Sequence, residues 1–438
     1  MRRRWRYGLT VVLLLLLLIL GSAALFRVMQ GVRLDLPPGF MRISTNLLFG
    51  FLGLLILRYF MLLWFSYLNF LDDEEPEGRE SFTPFVTVLV PAYNEGAVIE
   101  GSIRSLLTLD YPRYEVLVID DGSSDDTYSR AARYEGSHGG VDVRVIHQQN
   151  GGKAEALNNG IRNARGSFVL CMDGDSALAP QTLRRAVRHV QDPRVGAVAG
   201  SVKVVNRDNV LTALQALEYI EGLNMVRNAQ AFFRLVTIVP GPIGLFRRSA
   251  LLELGGYASD TFAEDCDLTL RLLIQGWQIR YEPQSIAYTE APERLLDLLK
   301  QRYRWTRGIL QALSKHRRTL IDPSGGLMTT LSLWYMIFEG IAWPLVNVFA
   351  QLLFIAQAAT LGAALPLVVW WAQLTVLDMA AALYCVALEE ERLWLVPYAV
   401  LYRLFFSLVI DVAKVLATFE ELLNLRMDWG KLDRIGRI

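Results

Sequence analysis

Phe168-Val169-Leu170-Cys171-Met172-Asp173-Gly174-Asp175 sets five apolar residues directly against two carboxylates. The apolar run reads as a buried strand, and Gly174 lets the chain turn at its end. Two charges beside such a strand are costly unless something neutralises them. The i, i+2 spacing can direct both carboxylates to one side. Asp173 and Asp175 are hard oxygen donors of the kind that suit Mg2+ or Mn2+ shared with phosphate oxygens. The bland alternative is a solvated Asp-Gly turn.

Working outward, residues 85–90, 114–119, 141–147 and 167–172 read as strands. Residues 95–109, 124–135 and 153–164 read as the helices between them. This alternation predicts an α/β domain from Pro84 to about Lys315, with a mostly parallel sheet covered on both faces. Ligands of such sheets bind at the carboxyl ends of the strands.

The 438 residues are 53% hydrophobic and only 20% charged, and the mean hydropathy is positive, which argues against a wholly soluble protein. Forty-four basic residues balance 44 acidic ones, so no global field draws nucleic acid to the surface. The three cysteines, Cys171, Cys266 and Cys385, are far apart, and the four histidines lack metal-ligand spacing. A zinc site or disulfide framework does not fit, whereas reduced thiols in a cytosolic compartment do.

The apolar residues gather at both ends. Residues 7–26 follow Arg2, Arg3, Arg4 and Arg6 and are long enough to span a bilayer, with the N-terminus in the cytoplasm. A cleaved signal peptide is the weaker alternative. Residues 47–70, interrupted only by Arg58, return the chain, and an acidic linker follows at Asp72-Asp73-Glu74-Glu75-Pro76-Glu77. Residues 327–359, 361–388 and 393–416 are further membrane candidates, interrupted by Glu339, Pro344, Arg403, Asp411 and Lys414. Five full crossings would place the basic tail (Arg426, Lys431, Arg434, Arg437) outside, against the positive-inside rule, so one segment is a candidate for lying on the surface. The expected division is residues 1–71 as two membrane helices, 72–325 as the cytosolic domain, and 326–438 as a membrane bundle with a short tail.

Five further motifs carry chemistry. Val90-Pro91-Ala92-Tyr93-Asn94-Glu95 has Pro91 ending the first strand and Asn94 or Glu95 opening a helix. Tyr93 and Glu95 would line a nucleotide-base pocket, or the segment is an ordinary turn. Asp120-Asp121-Gly122 places two carboxylates at a strand end, for uracil and ribose or for a capped turn. Asn150-Gly151-Gly152-Lys153 offers backbone N–H groups, a helix N-terminus and a point charge to a diphosphate. The alternative there is a flexible loop with a solvated lysine. Thr261-Phe262-Ala263-Glu264-Asp265-Cys266-Asp267 precedes the expected helix 268–275 and offers Asp265 as a general base. The same residues fit helix capping, with Thr261 and Glu264 as a capping box or Asp265 as the N-cap. In Gln301-Arg302-Tyr303-Arg304-Trp305 a helix puts Gln301, Arg304 and Trp305 on one face, as amide, guanidinium and indole. The rival is an amphipathic surface helix whose Lys300, Arg302, Arg304 and Arg307 face lipid phosphates.

Together and in this order, these motifs resemble membrane-bound family 2 glycosyltransferases of the polysaccharide-synthase type, such as cellulose, chitin, hyaluronan and poly-N-acetylglucosamine synthases. The resemblance covers roughly residues 84–310 and extends to the flanking membrane segments. The family's DD pair, DxD, [TS]ED and QxxRW have counterparts at Asp120-Asp121, Asp173-Gly174-Asp175, Ala263-Glu264-Asp265 and Gln301–Trp305. Ala263 departs from the Thr or Ser of many members, while the carboxylate is retained at Asp265.

The resemblance implies a GT-A domain set between N-terminal and C-terminal transmembrane helices. It implies Asp120 and Asp121 at the uridine, Asp173 and Asp175 at donor phosphates and metal (Mg2+ or Mn2+), and Asp265 as the base. It also implies Gln301 and Arg304, with Lys153, at the diphosphate, and Trp305 with Glu264 at the acceptor. Residues 239–248 resemble the acceptor-side loop. The implied activity is inverting, processive synthesis of a β-linked polysaccharide from a UDP-sugar, UDP-GlcNAc first, with export of the polymer. A β-glucan synthase using UDP-glucose and a single-transfer enzyme acting on a lipid acceptor are the alternatives. A transporter or scaffold with a degenerate nucleotide domain is the reading from another class. Expected partners are the donor, a growing glycan or lipid-linked acceptor, membrane lipids, and accessory or export subunits, with no nucleic acid. The expected location is the plasma or inner membrane with the catalytic domain cytoplasmic.

Overall fold

The computed structural model describes residues 39–72, 82–361 and 364–425. The expected first membrane helix (7–26), the acidic linker after Asp72 and the basic tail lie outside them.

Among the described residues, nine strands form one sheet. In chain order they are β1 Val86–Ala92, β2 Tyr114–Asp120, β3 Gly136–His138, β4 Val141–His147, β5 Phe168–Cys171, β6 Ser176–Leu178, β7 Val195–Val204, β8 Gly244–Arg247 and β9 Gln278–Thr289. Their spatial order is β3-β4-β2-β1-β5-β8-β7-β9-β6. The parallel block β4-β2-β1-β5 matches the sequence expectation. β1, β2 and β5 are buried along their whole length because both faces are covered, whereas β4 alternates apolar residues with Asp142 and Arg144. Val86, Val88 and Val90 enter one core while Leu89 enters the other.

The expectation of a mostly parallel sheet needs correction. Four of the eight strand pairings are antiparallel, among them β5 with β8 and β7 with β8. β8 is only four residues long, and its partners lie far away in sequence, so no local pattern announces it.

Pro91 does not end β1, which pairs with β2 as far as Ala92↔Asp120. Residues 86 and 92 bond toward β2, whereas Leu89 bonds toward β5. By alternation Pro91 faces the β5 side, where pairing has already stopped at Leu89↔Cys171. Its missing N–H therefore costs no ladder bond.

Among the described residues, four helices are long and apolar enough to cross a membrane: Arg42–Leu71, Leu327–Gln357, Trp370–Leu388 and Leu393–Leu422. They flank the α/β domain on both sides. The charges that interrupt them in sequence find partners in space. Arg58 makes a two-pronged pair with Glu339 at 2.7 and 2.8 Å, and Arg403 pairs with Asp378, which also accepts from Tyr59 at 2.6 Å. Asn347 donates to Asp411. Pro344 is absorbed just after the wide turn Phe338–Ala342, where the helical ladder is already loosened. The last helix runs to Leu422 rather than 416, and Glu420 and Glu421, beyond the expected end, find partners on helix Leu295–Lys315.

These apolar helices also pack directly on the α/β domain. Leu62, Leu63, Tyr384, Cys385 and Ala399 share one core with Val88, Val116 and Leu170. The loop between two of the apolar helices docks on β7. Glu389 accepts from Ser201 at 3.2 Å, and Glu391 pairs with Lys203 at 3.1 Å and Arg207 at 2.7 Å.

Candidate active site

β1, β2 and β5 end side by side, and the loops that follow them build the site. The turn after β5 closes through Ser176 N–H to the Asp173 carbonyl at 3.1 Å. Gly174 is required there, because a Cβ would lie 2.8 Å from the Pro91 carbonyl oxygen. This turn corrects the argument from strand alternation. Asp173 opens into a cleft, while Asp175 is buried beyond it and is not among the residues lining it.

The polar lining of the cleft includes Lys153, Asp173, Tyr257, Glu264 and Asp265. Lys153, the first residue of helix Lys153–Asn163, reaches Asp173 at 2.7 Å and Glu264 at 2.8 Å. Burial alone would lower its pKa, but Asp173, Glu264 and Asp265 outweigh that and hold it well above the usual lysine value. Lys153 thus joins two carboxylates from distant parts of the chain, Asp173 and Glu264.

Asp265 is placed differently from Glu264. Its carboxylate accepts backbone N–H groups from Gly241 at 3.3 Å and Cys266 at 2.8 Å. Burial, and then the neighbouring Glu264, push its pKa up to about 6, against the lowering effect of Lys153. Glu264 is tied to Lys153.

Neither capping reading describes this segment. Helix Glu264–Ile274 begins four residues before the expected 268, with Ala263 as N-cap and no side-chain cap bond. The Thr261 hydroxyl is not engaged in a capping box, and Asp265 already lies in the first turn. Its carboxylate is left for the cleft.

The Asp120-Asp121 pair forms a second cluster. Asp120 is fully buried and accepts from His147 at 2.6 Å. Asp121 accepts Gln148 Nε2 at 2.7 Å, Gly151 N–H at 2.9 Å and Gly152 N–H at 2.8 Å. The glycine amides offered in sequence to a diphosphate are thus turned onto Asp121. That carboxylate shapes the loop that launches Lys153 into the cleft. Tyr93 is exposed, and Glu95 N–H is anchored on Thr127 Oγ1 at 2.8 Å.

Helix Leu295–Lys315 carries the third cluster. Gln301 is buried and accepts from Arg302 at 2.7 Å. The lipid-facing alternative for Arg302 and Arg307 is corrected, since both are buried in ion pairs, with Glu218 and Glu421. Their partners are over 80 residues distant, and a helical-wheel argument cannot see them. Arg302 also lies 4.2 Å over the Trp305 ring, covering one indole face and fixing its orientation. Arg304 and Trp305 are half-buried.

This helix meets the Asp265 segment closely. A Cβ on Gly308 would lie 2.6 Å from the Ala263 Cβ and 2.7 Å from its N. The backbones can approach only because residue 308 is glycine. Gly308→Ala is expected to cost roughly 1–3 kcal/mol, read as a lower thermal midpoint together with slower turnover. An unchanged midpoint and rate would show that the contact is slack. Asp267 ties the same two helices at their far end, to His316 at 2.9 Å and Lys315 at 3.1 Å. Burial alone would raise its pKa, but those bonds and Arg271 hold it at about 2.

Tyr257 was not singled out in the sequence, yet it lines the cleft. Its backbone is gripped by Asn158 at 2.7 and 2.9 Å. The available signal was Gly255-Gly256 before it, both left-handed at φ +77° and +79°.

Residues 84–308 match the family described as "Glycosyltransferase like family 2". The chain is 33% identical over 226 residues to the poly-β-1,6-N-acetyl-D-glucosamine synthase of Staphylococcus aureus strain COL, a match covering 51% of this chain and 54% of that protein. It is 30% identical over 259 residues to the synthase of the same name from Staphylococcus epidermidis, covering 59% and 61%. The matched stretch thus spans a little over half the length of these curated relatives. Among solved structures, the mannosyltransferase PcManGT from Pyrobaculum calidifontis, in complex with GDP-Man and Mn2+, superposes with a TM-score of 0.65 at 24% identity. That superposition covers 88% of this chain and 100% of the other. The fold is GT-A, with apolar helices on both sides of it.

Proposed function

The chain belongs to the glycosyltransferase-like family 2 and is a glycosyltransferase; from that premise we propose that it is an inverting, divalent-metal-dependent, processive synthase. It polymerises a β-linked polysaccharide from a UDP-sugar, UDP-GlcNAc first, and moves the polymer across the membrane. The observation that carries this proposal is the single cleft holding Asp173, Lys153 and Asp265. It holds the lysine cation and the carboxylates that a donor diphosphate and one base would need. The sugar and the polymeric product are supported by the relatives' names and by apolar helices on both sides of the catalytic domain.

Asp265 takes the proton from the acceptor hydroxyl as its oxygen attacks the anomeric carbon. The bond from that carbon to the nucleoside diphosphate breaks on the opposite side. A single in-line displacement inverts the centre, so an α-linked donor gives a β-linkage. Gln301 and Arg304 hold the leaving diphosphate, and charge placed there in advance lowers the barrier. Asp120, Asp121, Tyr93 and Glu95 form the nucleotide end, while Trp305 and Glu264 form the acceptor end.

Among the described residues, no group of three or more His, Cys, Asp and Glu side chains could hold a metal by itself. The Asp173 carboxylate, which lines the cleft, would offer a hard divalent cation an oxygen ligand, with further ligands from a diphosphate, while Asp175 is buried behind it. Bound there, Mg2+ or Mn2+ would supply Lewis-acid charge to the leaving group.

Asp265 works as a base only when ionised. That form dominates above about pH 6 and is lost as pH falls through that value. Lys153→Met removes the charge that favours ionisation of Asp265. The acid limb of the kcat/KM profile is then expected to move upward by roughly one unit or more. An unmoved limb would separate Lys153 from the base. Processivity is tested with purified full-length protein, Mn2+ and UDP-GlcNAc, followed by a chase of unlabelled donor. Long labelled chains that continue to lengthen support the proposal. Single additions spread over all acceptors, or an organic-extractable glycolipid alone, favour the single-transfer alternative.

A further inference from the structure

Helix Leu295–Lys315 is gripped at its middle by the end of the last apolar helix. Arg307 Nε lies 2.5 Å from Glu421 Oε2, Arg307 Nη2 donates to the Leu425 carbonyl at 2.7 Å, and Arg307 Nη1 donates to Tyr303 Oη at 3.1 Å. Tyr303 donates its hydroxyl to Glu420. Only 5% of the Arg307 side chain and 20% of the Glu421 side chain are exposed, so water does not substitute for this pair.

The same Glu421 oxygen receives a second donor, Gln311 Nε2, at 3.3 Å. The other end of that amide, Gln311 Oε1, accepts the backbone N–H of Phe262 at 3.1 Å. Phe262 stands three residues before Asp265, and Gly308 presses on Ala263 between them. The amide has one orientation that satisfies both neighbours, because a carboxylate only accepts and a backbone N–H only donates. A continuous set of directional contacts therefore runs from the membrane helix to the segment carrying Asp265.

We propose that Glu421 is a positioning residue for glycosyl transfer, fixing the Asp265 segment through Gln311 and the helix bearing Gln301 and Arg304 through Arg307. A carboxylate suits 421 because its oxygen Oε2 accepts both the Arg307 guanidinium and the Gln311 amide, and its charge balances the buried guanidinium. The inference rests on Asp265 as the base. It goes further in making the end of a membrane helix part of what aligns that base with the leaving-group residues.

The test uses the full chain in nanodiscs, with Glu421→Gln, Gln311→Ala and the double variant. Turnover is measured as UDP release and expressed per folded molecule. Backbone amide exchange is followed over residues 261–266. A misplaced base costs the chemical step, so each single variant is expected to lower kcat roughly tenfold to hundredfold with the donor KM unchanged. The double variant is expected to be no slower than the slower single, because both act through one contact. Exchange at Phe262 is expected to quicken in all three. Unchanged kcat per folded molecule, or single effects that multiply in the double variant, would overturn the proposal. If the wild type releases no UDP from UDP-GlcNAc, the donor assignment fails instead. Amide exchange then decides alone: protection at Phe262 that survives Glu421→Gln and Gln311→Ala overturns the latch.

Discussion

Asp265→Asn is expected to lower kcat for sugar transfer by roughly a hundredfold to ten-thousandfold, with little change in affinity for UDP. The amide keeps the size of the carboxylate, and its oxygen can still accept from Gly241 or Cys266, so the cleft retains its shape. What is lost is an atom able to take the acceptor proton. Glu264 cannot take over, because it is already paired with Lys153 at 2.8 Å. Glu264→Gln should therefore cost much less than Asp265→Asn. Steady-state UDP release and UDP binding, measured on the same preparations, separate the two variants. An Asp265→Asn enzyme that keeps more than a tenth of wild-type kcat would remove Asp265 from the role of base.

The second large effect is expected at Asp173. Asp173→Asn should lower kcat by roughly a hundredfold to a thousandfold, and chelation of divalent cations should silence the wild type until Mn2+ or Mg2+ is returned. The physical reason is charge. Asp173 now shares its carboxylate with Lys153 at 2.7 Å. A cation arriving with the donor phosphates competes for that same carboxylate, and the asparagine offers it only a neutral oxygen. Titrating Mn2+ against UDP release is the measurement. The variant should need far more Mn2+ and still not reach the wild-type plateau. Full wild-type activity in excess chelator would end the metal assignment.

Where a signal was local, the sequence carried it. Val141–His147 and the start of the helix at Lys153 appear in the fold at their expected residues. The two-faced apolar strands of the parallel block were legible because each strand announces its own burial. The antiparallel half was not, since Gly244–Arg247 becomes a strand only by lying between β5 and β7.

The candidate site divides in the same way. Asp173, Asp265 and Lys153 were recognisable as types in the right order, and the fold brings them into one cleft. What Asp121 and Arg302 hold was not recognisable. The partners of Asp121 are backbone amides of a folded loop about 30 residues on. The partner of Arg302, Glu218, lies 84 residues back on another helix. Spacing along the chain reports residue types well and long-range pairing poorly. For the same reason nothing in the sequence marks Glu420 and Glu421, beyond the expected end at 416, as the connection of the last apolar helix to the catalytic domain.

The most direct measurement is the anomeric configuration and linkage of the product that purified enzyme makes from UDP-GlcNAc and Mn2+, read by NMR and by linkage-specific digestion, with Asp265→Asn as control. A single displacement by a hydroxyl activated at Asp265 predicts a β-linked polymer of N-acetylglucosamine from the wild type and none from the variant. An α-linked product, or the same product from both proteins, would contradict it.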